Sequence, residues 1–94
     1  MSSLETQFGQ VIRAARKRQS WSQERLAEVA DLNRSYLGEI ERGVVSPSLS
    51  TIRKLASALG SSVAALIEHS ERAVGALPRG GYGQGLQASG GDSL

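Results

Sequence analysis

The sequence predicts an all-α chain, a bundle of five helices followed by a glycine-rich tail, and three features predict it. Apolar residues recur three and four positions apart in successive segments, the spacing of one helical face, with no strand-like alternation. Serine or asparagine stands ahead of the later segments, where a side-chain oxygen can accept from amides that a first helical turn leaves free. From Gly75 the composition changes to GALPRGGYGQGLQASGGDSL, too poor in bulky apolar side chains to offset the entropy of ordering it. Residues 1–74 are therefore expected to form one domain and residues 75–94 a flexible tail.

The first helix is placed at residues 4–19, on Leu4, Phe8, Val11, Ile12 and Ala15. Its last turns carry Arg13, Arg16, Lys17 and Arg18, cations that complement the negative end of a helix dipole. Trp21 is expected to cover the junction with the next helix as partly buried core. Ser22 caps that second helix, Glu24 sits in its first turn, and Leu26, Ala27 and Ala30 turn inward. Asp31 and Leu32 form a turn too short to let two helices run antiparallel. Asn33 then caps a third helix, residues 34–42, with Leu37 and Ile40 on one face and Arg34, Ser35, Gly38, Glu39 and Arg42 on the other. Past Gly43 a loop closes at Pro47. Ser48 caps a fourth helix with Leu49, Ile52, Leu55, Ala56 and Leu59 as its inward stripe, which Gly60 ends. Ser61 and Ser62 start a fifth, reaching about Arg72, whose Val63, Leu66 and Ile67 complete the core.

Ninety-four residues leave little room for an elaborate active site or a separate ligand-binding domain, so no small-molecule ligand is expected. There is no cysteine, hence no disulfide framework and no thiolate metal site. A single histidine, His69, and no carboxylates at ligand spacing offer neither a nucleophile with its base nor a metal centre; no cofactor, metal or catalytic residue is expected. No apolar run approaches the ~20 residues that cross a bilayer, and the N-terminus lacks a signal pattern, so a soluble, cytoplasmic chain is expected. A net charge of +2 and a pI of about 9.5 permit a polyanionic partner without implying one. Any argument for DNA rests on arrangement, and the polar side of the third helix is a ridge narrow enough for a major groove.

The segment SQERLAEVADLNRSYLGEIERG, Ser22 to Gly43, resembles the Cro and phage-repressor (Xre-type) helix-turn-helix family, and the resemblance extends from Phe8 to about Ile67. Gln23 opens the first motif helix, Ala27 is small where the helices approach, and Leu37 and Ile40 are apolar where the family wants them. The ending IERG and the later PSLSTIRKLASALG are frequent signatures. Two positions depart from the family: Asp31 replaces the usual glycine of the turn, and Ser20 the usual glycine between the first two helices. Aspartate tolerates the left-handed backbone better than most residues.

The resemblance implies a lambda-repressor-like bundle that binds double-stranded DNA as a homodimer. Base edges would be read by Arg34, Ser35, Gly38 and Glu39, with Arg34 forking onto the O6 and N7 acceptors of guanine. Ser22, Gln23, Arg42 and Ser46 match positions on the phosphate backbone; for the serines, capping or turn formation alone is the rival explanation. Gln23 is also placed to brace the recognition helix. Tyr36 either lies along the groove edge against the backbone or packs on the first helix. Gly38 weakens a helix, so its backbone must lie close to something, DNA or the neighbouring helix. Arg16 and Glu41 match a structural ion pair that orients the recognition helix. Val63, Ala64, Ile67 and Val74 offer a dimer face, or else close the monomer's own core. The implied role is that of a transcriptional regulator: phage-type repressor, controller of a restriction-modification operon, or general small regulator. The alternative is an antitoxin or adaptor-like protein-interaction module, with an apolar docking patch and DNA binding secondary. RGGYG, Arg79 to Gly83, has a faint likeness to RNA-binding segments that one copy does not carry.

Overall fold

The computed structural model describes residues 3–75. The tail expected over residues 75–94, with its RGGYG stretch, lies outside these but for Gly75. Five helices follow one another: α1 (Leu4–Arg18), α2 (Gln23–Ala30), α3 (Arg34–Arg42), α4 (Leu49–Ala58) and α5 (Val63–Val74). Each begins on a side-chain cap. The oxygens of Ser3, Ser22, Asn33, Ser48 and Ser62 accept from the backbone N–H three residues on, at 3.0 to 3.2 Å. Such a cap contributes about 1 kcal/mol, a large share for helices of eight to fifteen residues that would not form alone in water.

The helices stop where the backbone turns left-handed. Asp31 takes φ 58° after α2, and Gly43 takes φ 76° after α3. Ser20, in the connection between α1 and α2, is also left-handed at φ 61°. The loop therefore keeps the shape that glycine would allow, with serine carrying the steric penalty.

α1 packs on α3 and α5, and α2 on α3 and α4. Phe8, Ile12, Leu26, Leu37, Ile40, Ile52, Leu55 and Leu66 meet in one buried core, with Trp21, Tyr36, Val63 and Ile67 half-buried against it. The approach of α1 to α3 is set at Gly9. A Cβ there would lie 2.6 Å from the carbonyl oxygen of Glu41, which is backbone and has no freedom to move aside.

Leu49, expected in the inward stripe of α4, is instead 77% exposed. Spacing around a helix gives a direction from its axis but no position along it. Leu49 opens the first turn of α4, where its side chain stays in solvent. α1 and α5 end within two residues of their expected ends. Among the described residues, no helix is long and apolar enough to cross a membrane.

Candidate nucleic-acid interface

Leu37 and Ile40 are fully enclosed and fix which side of α3 faces the bundle. The opposite side stands clear. Arg34 and Ser35 are exposed, Glu39 is half-buried, and Arg42 is exposed at the far end. Among the described residues Arg34 pairs with Glu24 of α2, with its Nε 3.8 Å from Glu24 Oε2, and both side chains are more than half exposed. A pair that open contributes between about 0 and 1 kcal/mol and is screened by salt, so Arg34 is free to exchange it for another acceptor.

Beneath this face lies a buried polar knot. Arg16 Nε donates to Glu41 Oε2 at 2.8 Å and Arg16 Nη2 to Glu41 Oε1 at 2.9 Å, while Arg16 Nη1 donates to the Trp21 carbonyl oxygen at 2.9 Å. Gln23 Nε2 donates to Glu41 Oε1 at 2.9 Å. The Glu41 carboxylate thus ties α1 and the first residue of α2 to α3, and Arg16 adds the turn after α1. Burial alone would push the Glu41 pKa up. Hydrogen bonds from Arg16 and Gln23, with the charges of Arg16 and Arg13, outweigh burial and hold it below the ordinary carboxylate value. The hydrogen bond to Glu41 correspondingly raises Arg16, against the effect of burial. Both members stay charged at neutral pH, and the pair fixes the height and tilt of α3.

The remaining positions divide. Ser22 is exposed and caps α2. Ser46, exposed in the loop after α3, donates to Glu5 Oε2 at 3.2 Å. Tyr36 is half-buried and packs against the core while keeping part of its surface open. Gly38 lies beneath the end of α3. It is buried, and the space above its Cα is occupied by the end of Arg42, 3.3 Å from where a Cβ would stand, and by the Gln23 amide at 3.8 and 4.0 Å. It has no side chain, and the Arg42 and Gln23 side-chain ends lie closest to the place where one would stand. On α5, Val63 and Ile67 are partly spent on the protomer's own core, Val74 is half-buried and Ala64 is exposed.

Two contributors were not anticipated from the sequence. Gly9 sets the depth of α3 against α1, and Glu24 stands 3.8 Å from the Arg34 Nε as a weak, exposed partner. A glycine inside a helical pattern was the available signal for the first. Nothing in linear spacing gave the second.

A family model described as helix-turn-helix matches residues 12–66, more than half of the chain. The chain belongs to the Xre-type helix-turn-helix family. This helix-turn-helix chain is 51% identical over 59 residues to the immunity repressor protein of Bacillus phage phi105, a match covering 63% of the chain and 41% of the repressor. The chain therefore spans under half the length of that relative. It is 46% identical over 54 residues to the control protein C.BamHI of Bacillus amyloliquefaciens, covering 56% of the chain and 67% of that protein. Among solved structures, the restriction-modification controller protein C.AhdI from Aeromonas hydrophila is similar at TM-score 0.63 and 44% identity, over 65% of the chain and 92% of the controller. The clp gene regulator ClgR from Corynebacterium glutamicum is similar at TM-score 0.74 and 26% identity, over 82% of the chain and all of that structure.

Proposed function

We propose that this chain is a sequence-specific DNA-binding transcriptional regulator that lays α3 in the major groove and binds a two-fold operator as a homodimer. The observation that carries the reading is the contrast between the two sides of α3. Its apolar side is sealed, while Arg34 and Ser35 project into solvent from the first turn, the end that meets base edges when such a helix docks. A helix with side chains fits a groove about 12 Å wide, and a buried bidentate pair holds this one in place.

Roles follow from chemistry. Arg34 reads guanine through its planar fork, Ser35 contacts a neighbouring base edge, and Glu39 selects a cytosine amino group while repelling misplaced phosphate. Arg42 grips the backbone at the other end of α3, and Ser22, Gln23 and Ser46 supply further backbone contacts. The free amides and dipole at the start of α2 favour a phosphate there. The printed names of the relatives, an immunity repressor and control proteins, fit a regulator that acts on its own or a neighbouring operon.

Backbone contact is tested by the salt dependence of binding, read as fluorescence anisotropy of a labelled duplex. The affinity should fall steeply with salt, and Arg42→Ala should weaken every sequence alike while reducing the log–log slope by about 0.9, one phosphate contact. A wild-type affinity indifferent to salt would refute the backbone assignments.

A further inference from the structure

Gly38 is the least helix-favouring residue in α3, in the middle of the element that the proposed function depends on. Its backbone is ordinary helix and makes no use of glycine's conformational freedom. The reason for a missing side chain must therefore lie in space rather than in backbone angle. Side chains on a helix lean toward its N-terminus, so a residue crosses the position four before it. Arg42 does this over Gly38. Its Nη1 lies 3.3 Å from the point a Cβ would occupy, and Gln23 Oε1 and Nε2 lie 3.8 and 4.0 Å from the same point. The guanidinium from the end of α3 and the amide from the start of α2 thus meet over one bare Cα. Gln23 is not free to retreat, because its Nε2 is committed to Glu41 Oε1.

Resting on the DNA-binding reading above, we infer that Gly38 is a positioning residue: a notch that lets Arg42 lie back beside Gln23, so that the guanidinium and the amide N–H not engaged by Glu41 present donors to one stretch of DNA backbone. Adding a Cβ sets two effects in opposition. Alanine favours the helix, and a neighbour at 3.3 Å that is the far end of a flexible side chain moves aside at little expense. The guanidinium, however, must give by a few tenths of an ångström, away from its place beside the Gln23 amide. Helix stability and DNA affinity therefore move in opposite directions at this position.

The test is Gly38→Ala in the full chain, alone and combined with Arg42→Ala. Gly38→Ala should raise Tm by about 4 °C, from the difference in helix propensity spread over a domain of this size. It should also weaken binding to all duplexes about tenfold, the loss of one charge-assisted contact, with a salt slope lower by about 0.9. In the Arg42→Ala background it should change affinity by less than about twofold, because the remaining neighbours are at ordinary contact distance. In the free protein, the Gln23 side-chain amide and Arg42 guanidinium resonances should shift, which tests the notch without DNA. Failure of the wild type to bind any duplex at low salt would overturn the function proposed above and leave these free-protein shifts as the test of the notch. Unshifted resonances, wild-type affinity and slope in Gly38→Ala, an equal further loss in the Arg42→Ala background, a changed preference at one base pair only, or failure of Gly38→Ala to fold would each overturn the inference.

Discussion

The Glu41 carboxylate joins three elements at once, and its ionisation is coupled to folding. Its pKa is lowered in the folded chain, so the stabilisation from the pair is fully present above the unfolded carboxylate value, about 4.3, and is lost as pH falls through the lowered folded value. Arg16→Met would remove the guanidinium and leave a carboxylate only 3% exposed, a loss of about 3 to 5 kcal/mol at neutral pH. Burial, already the largest influence on Glu41, is then opposed only by the Gln23 hydrogen bond and the Arg13 charge, so the pKa rises and the sign inverts. From pH 7 toward pH 4 the variant should gain stability relative to wild type, which urea midpoints measured across that range would show. Parallel curves for the two proteins would mean that Glu41 is not the titrating group. At this scale the sequence was informative wherever a residue type has few uses. Ser22, Asn33 and Ser48 are expected as caps from sequence and act as caps, and Trp21 packs half-buried against the core. The Arg16 and Glu41 pairing came from family likeness, since two charges 25 residues apart carry no signal of their own. Gly38 was legible as a close approach, but its partners were not, because they are ends of long side chains from two different helices.

Among the elements, the connection between α1 and α2 carries an avoidable strain. Ser20 sits at φ 61°, a region that costs an L-residue about 1 to 2 kcal/mol. Glycine there loses more backbone entropy on folding, by roughly 0.5 to 1 kcal/mol. The balance favours Ser20→Gly, which should raise Tm by a few degrees, on the order of 4 °C, in a thermal melt. A lowered Tm would show that the serine side chain contributes something its geometry does not reveal. Helix order and phase were readable because five capped, periodic segments leave few other solutions. The exception was Leu49, whose spacing placed it inward while its position in the first turn of α4 leaves it exposed. The crossing of α1 with α3 at Gly9 is not legible in the sequence for a related reason: periodicity records which face is apolar and says nothing of how near two backbones come.

For the molecule as a whole, one small module has too little surface for tight, selective binding, and in the proposed homodimer two half-sites about one helical turn apart would supply what it lacks. α5 is the proposed dimer face. Val63 and Ile67 serve the protomer's core as well, so mutating them would confuse folding with assembly. Ala64 is exposed in the protomer and separates the two. Ala64→Glu should leave thermal unfolding of the isolated protomer nearly unchanged while shifting sedimentation to the monomer and lowering affinity for a two-half-site duplex far more than for one half-site. A dimer that survives this change would place the interface elsewhere. The central claim is that α3 reads bases through Arg34, and selection of bound duplexes from a random pool, run in parallel for wild type and Arg34→Ala, tests it most directly. Wild type should enrich a two-fold symmetric motif with a guanine in each half-site, and Arg34→Ala should relax the preference at that base pair, about 1 to 3 kcal/mol of discrimination, with the rest of the motif retained. No enrichment by wild type at low ionic strength, or the same motif undiminished in Arg34→Ala, would contradict it.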